Sequence, residues 1–239
     1  FSQRIMDGIE ASYVPLTEEE TIRARRAYLA NVSYFDSKIG SVVKALEDIG
    51  ALDNTVIIVT ADHGDMLGER GLWYKMNFFE HSARVPLVMA GPGVVQGTAP
   101  NACSLIDLLP TFLDIAVGDA GMLGEPVDGR SLMPLARGQS EPMDEAIGEF
   151  CAEMTAAPVF LIRRGPLKYI HCDLDPPQLY VLSRDPDERV NVATDQAYAD
   201  QVARFAADVT ALWDSETLRD NIIATQKSRR ALHAAMEAG

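Results

Sequence analysis

The chain has 239 residues, 47% of them apolar, which is enough for one large hydrophobic core or two small ones and excludes a disordered chain. Lysine and arginine number 21 against 35 acidic residues, and the formal charge of −14 repels a phosphate backbone and leaves no basic stripe for nucleic acid. The longest apolar runs, 56–59 and 85–90, fall well short of the roughly 20 residues of a membrane helix, and no charged-then-apolar leader opens the chain, so the expectation is a cytoplasmic protein with neither membrane nor nucleic acid as partner.

In chain order, Thr17-Glu18-Glu19-Glu20 reads as a capping box that starts a long helix. Tyr28, Val32, Phe35, Ile39, Val42, Val43, Leu46 and Ile49 recur at three- and four-residue spacing, and Gly50 stands where the helix should stop. That apolar face is expected to pack against something large. Thr55 to Thr60 is β-branched without alternation, as in a strand covered on both faces. Arg84 to Ala90 reads the same way and ends at Gly91-Pro92-Gly93. Between them, Leu67 to Ser82 reads as a long irregular connection of the kind that carries function. Ser104 to Val117 has helical spacing, in which Pro110 must either lie in the first turns or kink the helix. Helix, strand, loop, strand, helix predicts an α/β fold, a sheet flanked by crossover helices.

Beyond a loop-rich stretch at 118–138, Ala146 to Glu149, Pro158 to Arg164 and Leu167 to Cys172 read as a small antiparallel sheet. Gln178 to Ala193 adds a strand and a turn at Asp185-Pro186. From Asp195 the pattern is helical, with Val202, Phe205, Val209 and Trp213 on one face, a break near Asp214-Ser215, and a final helix carrying Arg229-Arg230. The division that follows is 1–140 for the α/β part, 141–194 for the antiparallel β subdomain and 195–239 for a helical segment. Cys103, Cys151 and Cys172 lie far apart in an odd total, which suits small buried side chains in a reducing compartment.

The chemistry concentrates at Asp62-His63-Gly64. Ligands of open α/β sheets gather beyond the carboxyl ends of strands, and this triplet sits at such an end. Adjacent Asp and His side chains can reach one cation when the backbone turns sharply, which Gly64 permits; a hydrogen-bonded strand end accounts for them equally well. A hard cation wants six or more donors, so two residues supply only part of a shell.

The stretches "TVIIVTADHGDMLGERGLWYK" from Thr55, "FFEHSARVPLVMAGPGV" from Phe78 and "QLYVLSRDPDERVNVA" from Gln178 resemble, in this order, the C-terminal half of the sulfatases of the alkaline phosphatase superfamily. "WYKMNFFEHSARVP", "RRGPLKYIHCDLDPPQLY" and the terminal "SRRALHAAM" are most similar to the choline sulfatases of that family, and the similarity runs over nearly the whole chain. The resemblance implies an alkaline-phosphatase-like mixed sheet flanked by helices, with a small C-terminal subdomain and the N-terminal half of the parent fold absent. It implies that Asp62 and His63 match metal ligands for calcium, magnesium or manganese, the place of His63 often being an Asn in sulfatases. It implies that Lys75 contacts the sulfate group, and that an acidic residue near the cationic end of the substrate is Glu153 or Glu149. Trp73 and Tyr74 are candidate aromatic contacts.

Sulfatases also use a formylglycine made in a C/S-x-P/A-x-R motif behind an Asp pair. Cys103, Cys151 and Cys172 are followed by "SLID", "AEMT" and "DLDP", which do not fit. The nucleophile is therefore expected upstream of Phe1, in a longer parent that the chain alone does not replace in turnover. His81, His171 and His233 are read as structural. The implied activity is hydrolysis of a small-molecule sulfate ester, choline sulfate, by a homo-oligomeric parent. The alternatives are a phosphonate monoester hydrolase or phosphodiesterase of the same superfamily, and a non-catalytic binding domain that kept the fold.

Overall fold

The structure, a computed structural model, describes Arg4, Asp7 and residues 16–122, 125–152 and 155–237. It falls into two compact units. Among the described residues, an N-terminal unit comprises 16–74 and Arg84–Met143; a C-terminal unit combines Arg4, Asp7 and Lys75–Ala83 with the chain from Asp144 onward.

In the N-terminal unit, helix α1 (Glu18–Asp48) begins at the expected capping box. The Thr17 hydroxyl accepts from the Glu20 N–H at 3.3 Å, and the Glu20 carboxylate accepts from the Thr17 N–H at 2.8 Å. Its last turn closes as a Schellman motif. Ala51 N–H donates to the Leu46 carbonyl and Gly50 N–H to that of Glu47, with Gly50 at φ 68°. The expected packing of its apolar face is not met among the described residues. No side chain of α1 is fully buried, and Leu29, Val32, Tyr34, Phe35 and Val42 are each more than half exposed.

Strand β1 (Ile57–Thr60) pairs with β4 (Leu87–Ala90), with Thr60 opposite Leu87 and Ile57 opposite Ala90. The strands are antiparallel, and the long connection expected between them turns back in a hairpin of β2 (Met66–Leu67) and β3 (Trp73–Tyr74) and a single helical turn, α2 (Glu80–Ala83). One expectation is corrected: the strands are not covered on both faces, since β1 is half-buried throughout and Val88 of β4 is 57% exposed. Gly91 closes the pair tightly: at φ 133°, a Cβ there would lie 2.4 Å from the Thr55 carbonyl oxygen. Helix α3 (Leu108–Val117) follows a 3₁₀ turn at Leu105–Asp107, with Pro110 in its first turn as expected, and α4 (Met133–Ala136) is a short turn within the loop-rich stretch.

In the C-terminal unit, β5 (Glu145–Phe150), β6 (Val159–Arg164), β7 (Leu167–His171) and β8 (Gln178–Val181) form an antiparallel meander. Both faces of this sheet are covered, and alternation divides its residues between them. Phe160, Ile162, Tyr169 and Leu179 pack against Phe205 and Val209 of α5 (Ala199–Leu212), with Trp213 stacked on Phe160 at 4.5 Å. Val159, Ile170 and Tyr180 pack against Phe78 and Phe79. Each fully buried side chain of this size contributes roughly 1.5–3 kcal/mol, so the two faces together hold the unit. Helix α6 (Ser215–Glu237) follows the break at Asp214, whose carboxylate caps it by accepting from the Thr217 N–H at 3.0 Å. No helix of the described residues is long and apolar enough to cross a membrane.

Candidate functional site

Strand β1 delivers Asp62 and His63 just past its carboxyl end. The segment that follows is tied to α1 by side-chain hydrogen bonds and an ion pair. The Arg25 Nε–H donates to the Leu67 carbonyl at 2.9 Å, and its guanidinium lies 3.1 Å from Glu69. Burial raises the Tyr28 phenol above its ordinary value, and the Asp65 carboxylate bonded to it adds to that shift.

The two candidate ligands are arranged as a pair. The Asp62 side chain is 86% exposed and Oδ2 lies 3.5 Å from Nε2 of His63, whose side chain is 34% exposed. The other ring nitrogen, Nδ1, is 2.9 Å from the carbonyl oxygen of Gly64. A carbonyl only accepts, so Nδ1 carries a proton and a neutral ring leaves its lone pair on Nε2, facing the carboxylate. Two such acceptors repel unless a proton or a cation lies between them. Donors of one divalent ion at a right angle, each roughly 2.1–2.5 Å from it, stand about 3–3.5 Å apart, so the observed pair fits a shared ion. Asp62 Oδ1 is not free for it in full, since it accepts from the His63 N–H at 3.0 Å. Among the described residues no group of three or more His, Cys, Asp or Glu side chains is placed to hold a metal ion, so this pair could supply only part of a shell.

Lys75 belongs to the C-terminal unit and has an exposed side chain. The residues on either side of it, Tyr74 at φ 66° and Met76 at φ 71°, hold the left-handed backbone conformation that non-glycine residues avoid. Trp73 packs its indole over Gly68, where a Cβ would come within 3.3 Å of the ring, so its visible part is in fixing the hairpin. Tyr74 is 56% exposed.

Glu149 lies on β5, and its carboxylate accepts from the Trp213 indole N–H at 3.0 Å. Glu153 lies outside the described residues. His171 Nε2 is 3.0 Å from Asp173, which also accepts from the Ser215 hydroxyl. The carboxylate is central there, so the serine faces an acid rather than an imidazole base and the trio is not arranged for nucleophilic attack. His233 lies 3.4 Å from Glu237 on α6, and His81 sits in the α2 turn. The three cysteines are unbridged. Burial pushes the thiols of Cys151 and Cys172 up, with Glu149 adding to the first, which keeps them as poorly reactive thiols.

The sequence reading missed a buried ionic cluster. Lys168 Nζ on β7 lies 2.7 Å from Glu80 Oε1 and 2.9 Å from Glu188 Oε1, and the Lys168 and Glu188 side chains are each 1% exposed. The only hint in the sequence was the "DPDERVN" turn, read as a turn alone. Asp185 accepts there from the Arg189 and Val190 N–H groups, and Asn191 from those of Leu179 and Ala193, leaving Glu188 at φ 55° directed inward.

The comparisons with known proteins bear on this arrangement. The sulfatase family description matches residues 4–118, and that of the C-terminal region of N-sulphoglucosamine sulphohydrolase matches residues 68–214. The chain belongs to the sulfatase family. It is 42% identical over 241 aligned residues to the choline-sulfatase of Rhizobium meliloti, covering all of this chain and 47% of that protein. Its fold matches the phosphonate monoester hydrolase of Agrobacterium radiobacter, with a TM-score of 0.71 at 30% identity over 86% of this chain and 43% of that one. It matches a 2-O GAG sulfatase equally well, with a TM-score of 0.71 at 28% identity over 91% of this chain and 46% of that one. The mixed α/β architecture is therefore that of sulfatases of the alkaline phosphatase superfamily, and the sulfatase chain spans about half the length of the relatives it matches.

Proposed function

We propose that this chain is part of a sulfuric ester hydrolase that cleaves choline sulfate to choline and sulfate. The observation that carries the reading is the open pair at the end of β1, in which Asp62 Oδ2 and His63 Nε2 face one another at 3.5 Å. In the full-length protein Asp62 and His63 hold part of the shell of a divalent ion, calcium, magnesium or manganese. That ion and a formylglycine would supply the activated nucleophile of the reaction. Lys75 neutralises charge on the sulfate group as the ester bond breaks, a task suited to a compact ammonium on an exposed turn. Its backbone, strained on both sides, gives the side chain a defined direction before substrate arrives. The choice of ester follows the choline-sulfatase at 42% identity, and Glu149 or Glu153 then lies nearest the ammonium end of the substrate.

The second reading is a phosphonate monoester hydrolase, favoured by the 30% identity and shared fold with that enzyme. The full-length protein assayed on choline sulfate and on a phosphonate monoester separates the two. Turnover of the sulfate with D62A and H63A both inactive supports the first reading. Turnover of the phosphonate alone replaces it with the second.

A further inference from the structure

We infer that the buried triad Glu80, Lys168 and Glu188 is a positioning device for Lys75; the inference rests on the reading of Lys75 given above. Lys75 stands between two non-glycine residues of positive φ, and such backbone persists only where its surroundings over-determine it. Two anchors follow within five residues. Asn77, 8% exposed, accepts from the Phe79 N–H at 3.0 Å and points its amide nitrogen at the Lys75 carbonyl, 3.5 Å away. Glu80 then donates its own N–H to Glu188 Oε2 at 2.6 Å while its carboxylate accepts from Lys168 at 2.7 Å.

The triad removes two carboxylates and one ammonium from water, and Glu80, the most open of them, is 15% exposed. Apolar side chains of similar size hold a sheet face at least as well as a buried ionic group does, so stability alone does not account for it. What an ionic cluster adds is direction. The Glu80 main chain and side chain are both claimed, by Glu188 and by Lys168, so the turn cannot slide along the apolar face that Phe78 and Phe79 cover. Glu188 is itself fixed by the Asp185 turn. The structure therefore assigns Lys168, Glu188 and Asn77 a role in directing Lys75, although none of them needs to touch the substrate.

The test is a pair of double-mutant cycles in the full-length protein: E188Q, K75A and their combination, and N77A, K75A and theirs. Each variant is measured for kcat and KM on the sulfate ester, for affinity toward inorganic sulfate, and for thermal midpoint. E188Q keeps an acceptor for the Glu80 N–H and removes the charge beside Lys168. The expected result is a loss of about tenfold or more in both kcat and sulfate affinity, since small misplacements of a reacting group are costly. In the K75A background the same substitution should cost less than about twofold, because the two act as one unit. Equal losses with and without Lys75, or an E188Q protein of lowered midpoint whose kcat and sulfate affinity stay within about twofold of wild type, overturn the inference. If E188Q does not fold, the N77A cycle decides by the same criteria. K75A with undiminished turnover removes the Lys75 role and the inference with it, whereas a crippled K75A with additive losses removes the inference alone.

Discussion

One hydrogen bond, from His63 Nδ1 to the Gly64 carbonyl, leaves Nε2 as the ring nitrogen that faces Asp62, and so sets what the proposed ion would meet. Adding calcium, magnesium or manganese to the full-length protein at about a hundredfold over Kd should stabilise it by about 2.7 kcal/mol, seen as a raised thermal midpoint. D62A and H63A should each abolish most of that rise, while H63N, with an amide oxygen in place of the imidazole, should retain part of it. A different carboxylate offers a pH signature. The Ser215 hydroxyl and then His171 hold the Asp173 carboxyl below its ordinary value of 3.8, against the opposing effect of burial. A depressed folded-state value means the stabilisation is present above the unfolded value and lost as pH falls through the folded one. S215A should therefore lower the thermal midpoint at neutral pH, and the gap to wild type should close as acid protonates Asp173. The Asp62-His63 pair could be singled out in the sequence as a candidate because its members are adjacent and end a strand. The partners of Glu188 could not, because its bond to Glu80 spans 108 positions and nothing local marks it.

At the scale of elements, α1 shows what local chemistry specifies and what it leaves open. Its start is set by Thr17 and Glu20 and its end by Gly50, and both were legible because each signal lies within a turn of the boundary. T17A removes both the hydroxyl acceptor for the Glu20 N–H and the hydroxyl's own donation to the Glu20 carboxylate, and should cost about 1 kcal/mol, read from the denaturant midpoint of the chain. The apolar face of the same helix was equally visible, yet its burial depends on neighbours that no periodicity names. Strand direction was illegible for a related reason. Ile57–Thr60 and Leu87–Ala90 have the β-branched, apolar composition of buried strands in any sheet, and only the path of the 61–86 connection makes them antiparallel. The meander was easier, because Gly165-Pro166 separates two runs whose alternation already fits two covered faces.

For the molecule as a whole, α1 exposes Leu29, Val32, Tyr34, Phe35 and Val42 and β4 exposes Val88, hydrophobic surface of the kind that favours association where it is contiguous. The 239-residue chain on its own should bind a hydrophobic dye and sediment as concentration-dependent assemblies; a monodisperse monomer without dye binding would contradict this. The C-terminal unit carries a separate consequence. Its sheet draws Phe78, Phe79 and Glu80 from a nine-residue segment, Lys75–Ala83, that the chain inserts between two stretches of the other unit. A gene fragment beginning at Asp144 therefore excises an incomplete object: one sheet face loses its aromatic cover, Lys168 loses one of its two carboxylates and Glu188 loses the Glu80 N–H that donates to it. Such a fragment should recover order when a synthetic peptide of the Lys75–Ala83 sequence is supplied in trans, which makes this unit a natural candidate for complementation.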